Sequence, residues 1–66
     1  MNLPLRLARV ALGLSQRRLA GKCGMTQADI SRIELGWRPT PEQQRALAKA
    51  LKVPVGQLFP SVEVTR

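Results

Sequence analysis

The sequence contains no histidine and no tyrosine, and it has a single cysteine, a single tryptophan and a single phenylalanine. Without histidine the chain lacks the most common general base of enzymes. One cysteine can form neither an internal disulfide nor the usual cysteine–histidine zinc site. The chain also has no paired carboxylates at helical spacing and no glycine-rich phosphate loop. These absences predict a protein that is not an enzyme and that uses no metal, other cofactor or small-molecule substrate.

Acidic residues are scarce as well. Four Asp and Glu stand against eleven Lys and Arg, so the 66-residue chain has a formal net charge of +7. Such an excess favours a polyanionic partner, nucleic acid first and an acidic membrane surface second. No apolar run approaches the roughly 20 residues of a membrane-spanning helix. Arg6 and Arg9 interrupt the apolar N-terminal stretch, which argues against a secretory signal. We therefore expect a cytoplasmic protein without a membrane partner.

Helix-start and helix-stop signals divide the chain into five helical segments. The predicted helices run from Leu3 to a stop at Gly13, from Ser15 to Lys22, from Thr26 to Leu35, from Thr40 to a break at Val53–Pro54, and from there to Pro60. Apolar residues at helical spacing form the predicted core: Leu5, Ala8, Leu12, Leu19, Ala20, Ile30, Ile33, Leu47, Ala50, Leu51, Val55 and Leu58. The pattern predicts one compact all-α domain over residues 1–60, followed by a C-terminal tail over residues 61–66.

The second and third segments are the most informative part of the chain. They are short, each begins at a hydroxyl residue, and a four-residue break around Gly24 joins them. Two short helices connected in this way are typical of a DNA-binding helix-turn-helix, in which the second helix enters the major groove.

From Leu5 to Phe59 the chain resembles the phage-repressor and Cro family of helix-turn-helix proteins, also called the XRE family. The motifs that carry the resemblance are Leu14-Ser15-Gln16, Leu19-Ala20, Gly24, Thr26-Gln27, the run from Ile30 to Glu34, Gly36, the run from Leu47 to Val53, and Leu58-Phe59. The resemblance implies a compact five-helix repressor-like domain with the helix-turn-helix at helices 2 and 3. It also implies a prokaryotic or phage-encoded protein that binds double-stranded DNA.

The third helix presents the residue types that read bases. On a helical wheel Ile30 and Ile33 lie within about 60° of each other and define the buried side. The opposite arc carries the residues that we predict to contact bases, which are Gln27, Ala28, Ser31 and Arg32. Glutamine pairs with adenine, arginine pairs with guanine, and a methyl-sized side chain contacts thymine.

Phosphate contacts are expected to flank this helix. Gln16 resembles the family glutamine that binds a phosphate beside the N-terminus of its helix, where backbone amides attract the same anion. The full predicted set of phosphate contacts is Gln16, Arg17, Thr26 and Arg38. Arg9 and Glu34 correspond to the family's ion pair between the first helix and the end of the recognition helix. The role implied for this pair is structural.

Three other residues carry specific expectations. Leu35, where the family usually has a polar residue, is expected to pack under Trp37, with contact to a DNA sugar or methyl group as the alternative. Trp37 itself is expected to pack against its own domain or to contact a second copy of the chain, and the alternative is a phosphate contact through its indole N–H. Cys23 faces inward in the turn, and we expect it to act as a small buried apolar residue because no histidine or second cysteine accompanies it.

The leading functional hypothesis is a transcriptional regulator, in the simplest case a repressor, that reads a pseudo-palindromic operator as a homodimer. An antitoxin that binds a toxin partner and regulates its own synthesis is an alternative, and so is a restriction–modification controller. The tail, Ser61 to Arg66, alternates apolar and polar residues over a short stretch. It forms either a disordered end or a strand that pairs across the dimer.

Overall fold

A computed structural model describes residues 1–60 of the chain. Within this range it contains five helices and no strand: α1 (Leu3–Ala11), α2 (Gln16–Cys23), α3 (Gln27–Glu34), α4 (Pro41–Leu51) and α5 (Val55–Leu58). The predictions made for the tail, Ser61 to Arg66, lie outside the described residues. None of the described helices combines the length and the apolar character that crossing a membrane requires.

Side-chain caps explain why the helices begin where they do. The hydroxyl oxygens of Ser15, Thr26 and Thr40 each accept a hydrogen bond from the backbone N–H three residues later, at 3.0–3.1 Å. At α3 and α4 the cap is reciprocal, because Asp29 and Gln43 accept the backbone N–H of the capping threonine. Such capping boxes satisfy amides that have no partner within the helix. These three helix starts agree with the sequence pattern.

The cap of α1 was not predicted. Asn2 Oδ1 accepts the backbone N–H of Leu5 at 3.0 Å, and Asn2 Nδ2 donates to the carbonyl oxygen of Leu58 at 2.9 Å. One asparagine side chain therefore begins the first helix and ties it to the end of the last one. As a result α1 begins at Leu3, and Pro4 stands at its second position.

All five helices contribute to the core. Each helix contributes one large side chain with 0% exposure: Leu5, Leu19, Ile30, Leu47 and Leu58. Ala20, Ile33, Ala48 and Leu51 complete the buried set. Ala48 was not predicted, and Ala50, which was, is only half-buried. Burying apolar surface of this kind is the main favourable contribution to folding.

Leu12 is a correction to the predicted core, because it is 47% exposed. Helix α1 ends at Ala11, and Leu12 follows it as the C-cap with φ −94° and ψ 4°. The helical spacing that predicted an inward Leu12 therefore ends one residue before it.

Cys23 is half-buried against the core, and its Sγ lies 3.7 Å from the carbonyl oxygen of Ala46. Burial raises the pKa of its thiol.

Leu35 differs from the prediction, and Trp37 differs in part. Both are open to solvent, with 65% and 66% exposure, so Leu35 does not pack under Trp37 and the indole does not pack on the core. A contact of Trp37 with a second copy of the chain or with a phosphate stays a prediction. Gly36 adopts φ 118° between them, a backbone conformation that residues with a Cβ rarely reach. This turn directs the chain away from the axis of α3, so helical periodicity no longer indicates where the next side chains point.

Candidate nucleic-acid interface

Helix α3 lies on the domain with one side in the core and the other side free. Ile30 and Ile33 are 0% and 4% exposed. Among the predicted base-contacting residues, Gln27, Ala28 and Arg32 are exposed, while Ser31 is half-buried. Gly24 places α3 against α2 by ending α2 in the left-handed region, with φ 69°. The result is a short helix that is fixed to the core on one side and presents its other side chains to solvent.

Gln16, in the first turn of α2, is connected to both ends of α3. Its Nε2 donates to Glu34 Oε1 at 3.0 Å, and its Oε1 accepts a long hydrogen bond of 3.5 Å from Gln27 Nε2. The side chain of Gln16 is therefore held at the junction of the two helices, beside the first residue of α3. Sequence reasoning singled out Gln16 for a phosphate but did not anticipate these two contacts.

A buried ion pair anchors this junction. Arg9 Nε lies 2.6 Å from Glu34 Oε2, and Arg9 Nη2 donates to Glu34 Oε1 at 3.3 Å. The two side chains are only 12% and 8% exposed. Arg9 Nη1 also donates to the carbonyl oxygen of Leu14 at 2.7 Å. A bidentate pair of this kind fixes both distance and orientation between α1 and the end of α3.

Arg32 is restrained by two neighbours that the sequence analysis did not associate with it. Its Nη1 lies 3.2 Å from Asp29 Oδ1, one turn earlier on α3. Its Cζ lies 5.6 Å from the centre of the Trp37 ring. The backbone hydrogen bond from Thr26, the Thr26 side chain and the charge of Arg32 together hold the pKa of Asp29 below its ordinary 3.8.

The loop after α3 exposes Arg38 to solvent, and hydrogen bonds hold the loop on both sides of this residue. At its start, the backbone N–H of Trp37 donates to the carbonyl oxygen of Arg32 at 3.0 Å. At its end, Pro39 is buried and its carbonyl oxygen accepts a hydrogen bond of 3.0 Å from Gln44 Nε2. The guanidinium of Arg38 therefore stands on an anchored loop next to α3.

A family model described as helix-turn-helix matches residues 5–58, which is most of the chain. The chain belongs to this family. It is the XRE-type family of Cro- and C1-like proteins, whose members are DNA-binding transcription regulators and generally not enzymes. The predicted family and the predicted all-α fold are therefore confirmed. Searches of curated proteins and of solved structures found no match.

For a helix-turn-helix protein, the charge on this surface has the expected sign. Three exposed cations lie on or beside α3: Arg32 on the helix, Arg6 in a cleft with Ser31, and Arg38 next to Arg32. Arg17 and Arg18 are exposed on α2, which packs against α3. Both acidic residues on α3 are paired with an arginine, Glu34 with Arg9 and Asp29 with Arg32. A surface that concentrates positive charge in this way attracts the DNA backbone.

Arg6 is a residue of this surface that sequence reasoning did not select. It lines a cleft with Gln16, Ser31 and Leu35, and the Arg9–Glu34 pair forms the floor of that cleft. The spacing contained a signal, because Arg6 stands one turn before Arg9 on the same helix and residues three apart share a helix face. Because Arg9 pairs with Glu34 at the end of α3, the face of α1 that Arg6 shares with Arg9 borders that helix.

Proposed function

We propose that this protein is a sequence-specific repressor that binds a pseudo-palindromic operator as a homodimer. One observation carries the proposal: Gln27, Ala28 and Arg32 point outward together from a helix whose other side is buried. In the major groove, the Gln27 amide matches adenine N6 and N7, and the Arg32 guanidinium matches guanine O6 and N7. The Ala28 methyl group suits a thymine methyl. Ser31, half-buried beside them, supplies a hydroxyl to the same groove.

Phosphate contacts would set the position of α3 on the duplex without reading sequence. We assign them to Gln16, Arg17, Thr26 and Arg38. Gln16 and Thr26 lie at the start of α3, and Arg38 lies in the loop that follows it. Arg17 follows Gln16 on α2 and is exposed. If about six phosphates are neutralised, the logarithm of the binding constant should fall with the logarithm of salt concentration at a slope of about −5. This contribution supports binding to any DNA, so specificity depends on the residues of α3.

Dimerisation follows from the size of the recognition helix. Helix α3 has eight residues, which span only about 12 Å along its axis. That length covers one half-site, and helix-turn-helix proteins obtain longer sites by pairing two half-sites about 34 Å apart. Two copies related by a two-fold axis require an inverted repeat in the DNA. Repression then needs only occupancy of a promoter.

Selection of bound DNA from a random pool tests the proposal directly. We expect an inverted repeat whose half-sites contain an adenine and a guanine, with centres about 10 bp apart. The double variant Gln27→Ala/Arg32→Ala is the matched control, because both side chains are exposed and the core is untouched. It should retain weak binding and lose the selected motif. A pool that shows no enrichment would refute specific recognition, and a single uninverted half-site would refute the dimer.

A second candidate, the antitoxin, is favoured by a different surface. Leu3, Leu7 and Val10 share the outer face of α1 and are 50%, 59% and 57% exposed. Three exposed apolar side chains at this helical spacing suit a protein partner better than DNA. Co-purification with the product of a neighbouring gene would favour the antitoxin. A restriction–modification controller has the same DNA-binding mechanism and differs in the operator that the selection would identify.

A further inference from the structure

The guanidinium of Arg32 is held on two sides in the protein without DNA. Asp29 accepts one hydrogen bond from Nη1, and the guanidinium carbon lies over the indole ring of Trp37, 5.6 Å from its centre. We propose that Trp37 is a positioning residue for base recognition, which together with Asp29 fixes Arg32 in the orientation that reads a guanine. This inference rests on the proposed function and extends it to a residue outside the recognition helix.

The donor geometry leaves room for a base. A guanidinium carries five N–H donors in a planar fork. Asp29 Oδ1 accepts a hydrogen bond from Nη1 at 3.2 Å, and no other group of the described residues accepts one from the Arg32 side chain. Nη2 and Nε, which lie along one edge of the guanidinium, therefore keep their N–H donors available. Two in-plane donors are what the bidentate contact with guanine O6 and N7 requires.

Backbone hydrogen bonds, and not burial of the indole, hold the turn that carries Trp37. Trp37 is 66% exposed, so its ring contributes little to the core. Two backbone hydrogen bonds of 3.0 Å hold the turn beneath it, from Gly36 N to Ile33 O and from Trp37 N to Arg32 O. The second bond links the indole residue to the very residue whose side chain it covers. A large apolar ring that is exposed and lies beside a cation is well placed to restrain that cation.

The expected benefit is that Arg32 loses less freedom when it meets the base. A free arginine side chain samples many rotamers, and ordering it on binding weakens the contact. A cation–π contact at an exposed site contributes about 0.5–1 kcal/mol. That range corresponds to about a twofold to fivefold change in an equilibrium constant. Loss of the ring should therefore reduce discrimination at one base pair by a factor of this size.

The experiment compares two DNA duplexes, the selected operator and the same operator with the guanine read by Arg32 replaced by adenine. Affinities are measured at several salt concentrations for the full chain and for Trp37→Ala, Trp37→Phe and Arg32→Ala. Leu12→Ala is the matched control, since Leu12 is also an exposed large apolar residue. Thermal unfolding verifies that each variant is folded.

We expect Arg32→Ala to lose most of the preference for guanine and Trp37→Ala to lose about twofold to fivefold of it. Trp37→Phe should keep most of the preference because it retains a ring. The salt slope should stay unchanged in Trp37→Ala, because no phosphate contact is lost. Trp37 is the only tryptophan, so its fluorescence in the free protein should change when Arg32→Ala removes the guanidinium.

The failures are distinguishable. If Trp37→Ala weakens binding to both duplexes by the same factor, the ring acts on the DNA backbone. The positioning role is then wrong, although the proposed function stands. An unchanged preference in Arg32→Ala also overturns the inference, and Gln27→Ala in the same assay then decides whether α3 reads bases at all. Identical fluorescence of the parent chain and Arg32→Ala would overturn the contact between Trp37 and Arg32. If the parent chain shows no preference for its operator over random DNA, the proposed function fails.

Discussion

Replacing Glu34 with alanine should destabilise this domain far more than a typical glutamate substitution. The carboxylate of Glu34 accepts hydrogen bonds from Arg9 Nε and Nη2 and from Gln16 Nε2. In Glu34→Ala the Arg9 guanidinium keeps only its contact with the carbonyl oxygen of Leu14. Because the Arg9 side chain is 12% exposed, the substitution leaves a positive charge buried without its counter-ion.

The size of the effect follows from this burial. Removing one partner of a buried ion pair costs about 3–5 kcal/mol, since the other charge stays desolvated. A domain of 66 residues has a free energy of unfolding of about 3–10 kcal/mol. The substitution therefore removes a large share of the total. At about 4–8 °C per kcal/mol for domains of this size, the midpoint of thermal unfolding should fall by about 12 °C or more.

Thermal unfolding followed by circular dichroism measures this shift, with Glu42→Ala as the control. Glu42 is exposed in the first turn of α4, where an acid contributes at most about 1 kcal/mol. The double variant Arg9→Met/Glu34→Leu should recover much of the loss, because neither charge is then buried. Equal shifts in Glu34→Ala and Glu42→Ala would refute the buried pair. A double variant as unstable as Glu34→Ala would refute the unpaired-charge explanation.

Three further outcomes are expected. Arg17→Ala and Arg38→Ala should each weaken binding to all DNA sequences alike and reduce the salt slope by about 1; an unchanged slope in salt-dependent titrations would exclude a phosphate contact. Thr40→Ala removes the cap of α4, which should cost about 1 kcal/mol of unfolding free energy in denaturant titrations while leaving DNA affinity unchanged; a loss of affinity would contradict this. Because the folded-state pKa of Asp29 is lowered from 3.8, its carboxylate stabilises the fold fully above that value, and the stabilisation disappears as the pH falls through the lower folded pKa. The difference in thermal stability between the parent and Asp29→Asn should therefore close below pH 3.8, and a difference independent of pH would refute the assignment.

Much of the helix pattern was readable from the sequence because its signals are local. A cap involves a side chain and an amide three residues away, as at Ser15, Thr26 and Thr40. The outward positions of Gln27 and Arg32 follow from the helical period once Ile30 and Ile33 are assigned to the core. These relations depend on a few neighbouring residues, so tertiary packing has little opportunity to override them.

Misassignments occurred where a helix ends, because the helical period stops there. Leu12 and Leu35 both follow the last residue of a helix as its C-cap. Leu12 was assigned an inward position by continuing the helical spacing, whereas Leu35 was expected to pack under Trp37 although the helical wheel placed it on the outward side; both are exposed. The same limit applies to Trp37, which stands beyond the turn at Gly36. Its contact with Arg32 depends on the backbone angles of that turn.

By itself the sequence determined the five-helix pattern, most of the core, the family and the residues on the outward face of the recognition helix, since each of these is encoded within a few consecutive turns. The turn at Gly36 brought Trp37 near Arg32, five residues earlier in the chain. Tertiary structure alone decided the contacts between distant segments: Asn2 with Leu58 and Gln16 with Glu34. The physical reason is distance along the chain. Such pairs form only after the apolar side chains of all five helices have packed together, and no local pattern specifies which polar groups then meet.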